Sequence, residues 1–284
     1  MPKRYAVLPP RGTLLASTDI HGNLEDLRAL RRAFEAEGPD AHWVILGDIV
    51  HGPDDRARRD QPELYDYEDE SGRVALEVAE AMRRSPGRVH FVLGNHDHGH
   101  AGGPHTRKFH RDEVEHLEAR LTDEERAALQ AILKGALYAV IAPSGLFLSH
   151  GSPNDSLKKL EDLDAIDLRP SENDAYGNGV LQSFLTHYGQ RDEIAARFLD
   201  SVSKSGAPVS VVVHGHDRDE RGFFIEGERQ LCLCIFGAPR EAKRYLRADL
   251  GGRYTSARDL RDGIEIRRLY PRPGDAQQTV SHGI

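Results

Sequence analysis

Short apolar runs recur along the chain, separated by stretches with helical spacing or by polar clusters. Thr13-Leu14-Leu15-Ala16-Ser17-Thr18 reads as a buried strand. Asn23 stands where it would cap a helix whose Leu27, Leu30 and Phe34 share a face, and Gly38-Pro39 ends that helix. His42 to Leu46 is a second strand, and Val89 to Leu93 a third. Between them, Asp54 to Gly72 is polar without a stable period and reads as a long surface loop, followed by a helix from Val74 to Arg84. His96 to His110 is rich in His and Gly, and Arg111 to Lys134 reads as one helix with Leu117, Leu121, Leu129, Ile132 and Leu133 as its apolar contacts. Tyr138 to Ala142 and Leu146 to Ser149 form a hairpin around Pro143-Ser144-Gly145. Helices are expected over Gly179 to His187 and Arg191 to Ser203, and strands over Val209 to Val213, Phe223 to Ile225, Leu231 to Phe236 and Ile264 to Ile266. Strands alternate with helices early and dominate late, which suggests a layered α/β protein with mixed sheets. No internal repeat or separating linker stands out.

At 284 residues the chain suits one large domain rather than two. Its 38% hydrophobic and 30% charged residues indicate a globular chain with a substantial core. The net charge of −8 argues against a general nucleic-acid binder and against an anionic membrane surface. The two cysteines, Cys232 and Cys234, lie two apart on a strand and read as packed thiols, which fits a reducing compartment. The start lacks the long apolar segment of a signal peptide, and no run approaches the ~18 apolar residues of a membrane span. A cytoplasmic location is expected. The Pro/Gly/polar tail, 271–284, is expected to be flexible.

Chemistry concentrates where the apolar runs end. Five clusters read Asp19-Ile20-His21-Gly22-Asn23, Gly47-Asp48, Gly94-Asn95-His96-Asp97, His150-Gly151 and Gly215-His216. Asp, His and Asn offer oxygen and nitrogen donors without a thiolate, a set that suits Zn, Fe or Mn. Two such ions about 3.5–4 Å apart, sharing a carboxylate, hold a phosphate and a hydroxide together. The clusters therefore point to a two-metal phosphoesterase.

In order and context they resemble the calcineurin-like metallophosphoesterase superfamily, and within it the phosphoprotein phosphatase (PPP) family of Ser/Thr phosphatases with its bacterial relatives. The resemblance runs from about Thr13 to about Tyr270. It implies a four-layer αββα sandwich with two mixed β-sheets, a catalytic domain over 1–270 with an α-helical insert at about 100–137, and two divalent metal ions, Mn first and Fe or Zn as alternatives. It makes Asp19 and His21 ligands of one metal, Asp48 the bridge, and Asn95, His150 and His216 ligands of the other. A metal-bridging hydroxide would attack phosphorus directly. His96 would protonate the leaving group, with Asp97 orienting its imidazole.

Ala175 to Leu185 is similar to the helix start that precedes the family's final metal His, and Ile235-Phe236-Gly237-Ala238-Pro239 looks like its Phe-Ser-Ala-Pro segment. Many superfamily members end the last motif Gly-His-x-His, where Gly215-His216-Asp217-Arg218 has Arg, as PPP members also lack that His. His214 is a rival ligand. The family's Asp-Arg-Gly continuation is missing: after Asp48 come Ile49, Val50, His51 and Gly52, so His51 stands where an acid would and Gly52 where the phosphate-gripping Arg would. Arg169 and Arg240 are the favoured substitutes, ahead of Arg56, Arg58 and Arg59. The substrate expected is a phosphorylated protein or a small phosphoester, with nucleotide or dinucleoside-polyphosphate hydrolysis on the same centre as the alternative. His98, His100, His105 and His110 leave a third metal site open against chance loop histidines.

Overall fold

The computed structural model describes residues 3–109, 112–206 and 208–271. His110 and Arg111, in the His-rich stretch and at the start of the expected long helix, lie outside them, as does the tail beyond Pro271.

Strands β1 (Tyr5–Val7) and β2 (Thr13–Ser17) lead to helix α1 (Leu24–Ala36) and strand β3 (Ala41–Ile45). The segment expected as a loop instead carries two short helices, α2 (Asp55–Asp60) and α3 (Pro62–Tyr65), before α4 (Ser71–Arg84). Asp54 caps α2 by accepting from Ala57 N, and Pro62 opens α3, both ordinary start signals in a polar run. Then come β4 (Val89–Phe91), the single turn α5 (Asn95–His98), and the pair α6 (Glu113–Glu118) and α7 (Asp123–Lys134). The expected continuous helix breaks between them because Thr122 and Glu125 form a capping box that starts α7 afresh. The rest follows as β5 (Ala139–Ala142), β6 (Leu146–Leu148), α8 (Ala175–Thr186), α9 (Asp192–Lys204), β7 (Val211–His214), β8 (Phe223–Glu226), β9 (Gln230–Leu233), β10 (Arg244–Asp249) and β11 (Ile266–Arg268).

Two mixed sheets result. One has the order β1-β5-β6-β7-β9-β8, the other β11-β10-β2-β3-β4. Alternation along the central strands builds two cores. Leu14, Ala16, Val44 and Leu46 belong to one cluster with Val140, Leu148, Val211, Val213 and Leu231 from the other sheet. Their neighbours Leu15, Trp43 and Ile45 pack instead with Leu27, Leu30 and Phe34 of α1, and Phe147 and Val212 with Phe184 of α8 and Phe198 of α9. This is the αββα sandwich. Among the described residues no helix is long and apolar enough to cross a membrane.

Candidate metal centre

The five-stranded sheet delivers Asp19 and His21 after β2, Asp48 after β3 and Asn95 after β4; the six-stranded sheet delivers His150 after β6 and His216 after β7. Strand ends of this kind are where α/β sheets place ligands. Five non-glycine residues have left-handed backbone here: Asp19 (φ 51°), His21 (45°), Asp48 (53°), His51 (69°) and His216 (68°). Each such conformation costs on the order of 1–3 kcal/mol and persists only where packing imposes it, characteristically at functional sites. Gly94 is needed for close approach, since a Cβ there would overlap the Asp48 backbone nitrogen and carboxylate.

Asp48 sits at the middle. Its Oδ2 is 3.7 Å from His21 Nε2 and 3.4 Å from His150 Nε2, while Asp19 Oδ1 is 3.6 Å from His21 Nε2. His150 Nε2 lies 2.9 Å from Asn95 Oδ1 and 3.2 Å from His216 Nδ1. Ligand atoms of His21, Asp48 and His96 fall within 4.8 Å of one another, and so do those of Asp48, His150 and His216. The carboxylate common to both groups is the arrangement a shared bridging ligand requires. Second-sphere contacts aim the rings: His21 Nδ1 faces the carbonyls of Val50 and His51, each at 3.1 Å, and His150 Nδ1 faces that of Leu46 at 2.7 Å. A carbonyl only accepts, so Nδ1 carries a proton, and in the neutral ring the Nε2 lone pair turns inward. Lone pairs of oxygen and nitrogen converging at such distances fit divalent cations.

Burial works against charge on Asp19 and Asp48, yet the facing histidines hold both carboxyls below their usual range. Burial also pushes His150 down, but Asp48 overrides it and the imidazole rises to about 9. His216 is driven down to about 4, by burial first and then by His150.

His96 and Asp97 require a correction. Asp97 does not orient His96. Its carboxylate accepts from the backbone nitrogens of Asp48 (2.6 Å), Ile49 (3.0 Å) and Gly94 (3.2 Å), tying the end of β3 to the start of α5. Adjacent residues of a helical turn point about 100° apart, so a side chain reaching back to cap α5 turns away from its neighbour's ring. Burial and the Asp48 charge raise the Asp97 carboxyl. The acid that meets His96 is Glu113, at the start of α6 and wholly buried, with Oε2 2.7 Å from His96 Nδ1. Glu113 Oε1 accepts from the backbone nitrogens of Lys108 (2.9 Å) and Phe109 (3.2 Å), and the Thr106 hydroxyl donates to Oε2. His51, standing where the family has an acid, instead places its Nε2 3.0 Å from His100 Nε2.

The favoured arginines are engaged elsewhere. Arg240 forms a two-pronged pair with Glu25 (2.7 and 2.6 Å) and lies over Tyr270; Arg169 donates to the Ala101 carbonyl. The rival His214 turns Nδ1 to the Gly215 carbonyl, 3.0 Å away. His98 bonds the Leu168 carbonyl, His100 pairs with Glu118 and His105 with Asp112, so no third gathering of ligands forms among the described residues. Sequence reasoning missed Lys108, Glu113 and Tyr65. Lys108 and Arg218 lie over the Phe236 ring, which touches His21 at 4.2 Å between centroids and stacks on Tyr65 at 5.1 Å. Tyr65, Lys108, Phe109 and Arg218 line a pocket of about 380 Å³.

No curated protein matches the chain in sequence. Among solved structures, a protein serine/threonine phosphatase from Saccharomyces cerevisiae with similarity to human PP5 superposes with a TM-score of 0.62 at 14% identity, covering 87% of this chain and 76% of that one. A cold-active protein-tyrosine phosphatase of a psychrophilic Shewanella gives 0.55 at 16% identity, covering 90% and 82%. At these identities the likeness is one of fold. Residues 12–218, which hold every one of the converging Asp, His and Asn side chains, match the family model described as Calcineurin-like phosphoesterase, and the chain belongs to that family.

Proposed function

We propose that this chain is a dinuclear-metal phosphomonoesterase acting on phosphoserine or phosphothreonine in proteins. Asp19 and His21 would hold one divalent ion, Asn95, His150 and His216 the other, and Asp48 both. Manganese, iron and zinc all suit these donors, with manganese preferred. When bound, the ion pair supplies an activated water and neutralises charge on the phosphoryl group. His96, anchored through Nδ1 by Glu113, keeps Nε2 for the departing alkoxide, which needs a proton.

The observation that carries this reading is one carboxylate oxygen of Asp48 facing His21 and His150, which come from opposite sheets. The Phe236–Pro239 segment beside His21 and the protein phosphatases among the fold neighbours support the protein substrate. Nucleotide or dinucleoside-polyphosphate hydrolysis is the second reading, favoured by Arg56, Lys108 and Arg218, which line the adjoining pocket together with Asp54 and Asp60. Asp48→Asn should bind fewer ions and lose manganese-stimulated hydrolysis of an aryl phosphate; retained turnover would contradict the assignment. A panel of phosphopeptides and nucleotides separates the two substrate classes.

A further inference from the structure

We infer that Lys108 and Arg218 form the grip for the phosphate oxygens that the metals leave free, replacing an arginine that position 52 has no room to carry. The inference rests on the dinuclear reading above and names how that site holds a tetrahedral dianion.

Position 52 is closed. A Cβ on Gly52 would lie 2.8 Å from Asp69 Cβ, and 2.9 Å from both Asp69 Cα and the His21 carbonyl oxygen. No longer side chain can start from there. The two cations arrive by other routes onto the aromatic ring against His21. Lys108 Nζ stands 4.0 Å from the Phe236 centroid and Arg218 Cζ 5.0 Å from it. Arg218 follows the proposed ligand His216 by two residues and crosses Gly237, where a Cβ would meet its Cγ and Cδ at 3.0 Å. Its Nη1 donates to the Tyr65 hydroxyl at 3.1 Å, which fixes the guanidinium plane.

The pair lacks an anion of its own. Among the described residues no carboxylate comes within 4.0 Å of either cation, whereas Arg240, Arg247 and Lys243 are each matched. Two like charges sharing one ring repel. Burial first and Arg218 second push the Lys108 ammonium below its usual range, although the residue as a whole is exposed. Water reaches the pair, and so can a solute anion. A phosphate spanning the metals and these two cations would relieve the repulsion and satisfy oxygens pointing away from the ions. Glu113 unites the arrangement, since it receives the Lys108 amide through one oxygen and His96 through the other.

The test uses full-length protein loaded with manganese, inorganic phosphate as probe, and an aryl phosphate as substrate. Lys108→Ala and Arg218→Ala should each raise the phosphate Kd and the substrate KM by about tenfold or more, with the bound-metal content unchanged. A phosphate Kd within about twofold of wild type in both alanine variants, or loss of a metal ion from either, would overturn the inference. If wild-type protein binds no metal and hydrolyses no ester, the dinuclear reading has failed instead.

Discussion

Glu113→Gln is the most informative single substitution, because it preserves shape while removing the charge that faces His96. In the native site Oε2 meets His96 Nδ1 at 2.7 Å and Oε1 accepts two backbone N–H groups. A glutamine can present oxygen to only one side. With its oxygen toward Lys108 and Phe109, its NH2 confronts His96 and forces Nδ1 to accept, which rules out the doubly protonated ring. With its oxygen toward His96, the NH2 meets two backbone donors, and an unsatisfied buried donor costs about 1–3 kcal/mol. Either way a charge-assisted bond of about 1.5–3 kcal/mol gives way to a neutral one at best. Turnover of an alkyl phosphate should fall by about 10- to 100-fold, in the range of general-acid contributions. An aryl phosphate, whose leaving group needs less protonation, should lose much less, and His96→Asn should show the same asymmetry. Burial opposes the Glu113 charge, but His96 overcomes it and holds the carboxyl well below the usual 4.5. Its contribution to stability is therefore present above the usual range and lost only in stronger acid. The urea-unfolding deficit of the variant should be constant around neutrality and shrink below about pH 4. Equal losses on both substrates would refute the reasoning.

Metal affinity should depend on pH through His150. Its pKa is raised to about 9, so the stability from its protonated form is complete below the usual 6.5 and lost as pH rises through about 9. A cation must displace that proton; affinity should therefore climb across this window, by up to about tenfold per pH unit, with proton release visible in calorimetry in two buffers. A flat profile would contradict it. Away from the centre, Lys243 Nζ sits 2.5 Å from Asp26 Oδ2, both side chains are at least nine-tenths buried, and Tyr270 donates to Oδ1 at 2.7 Å. Lys243→Ala should cost about 3–5 kcal/mol in urea unfolding by stranding that carboxylate; a loss below about 1 kcal/mol, the scale of a surface pair, would mean water reaches it.

The convergence of the Asp, His and Asn clusters was legible because each closes a strand whose apolar run announces it, as Thr13 to Thr18 does for Asp19. The Asn23 cap was legible too: its side chain accepts from Asp26 N at 3.0 Å. Glu113 was not, because an acid in the first turn of a surface helix looks the same whether it serves the helix or reaches a histidine 17 positions earlier. Asp97 misled for the converse reason, since adjacency in sequence says nothing about direction within a helical turn. Strand β10 escaped notice because Arg244, Arg247 and Asp249 interrupt it, their charges matched by Asp262 and Glu37 across the fold or held at its end. The Thr122 capping box was readable and would have divided the long helix. Lys108 and Arg218 converge only through tertiary folding, 110 positions apart, and no local pattern marks them.

The proposed ligands come from the ends of both sheets, and Asp19 and His216, 197 residues apart in sequence, meet through a 3.0 Å bond from the His216 amide. Such a centre works as a rivet through the sandwich as well as a reaction vessel. Divalent ions held there would tie the end of one sheet to the end of the other. Such ions would clamp one rim of the two layers, and chelation would let that rim breathe while the far rim stays shut.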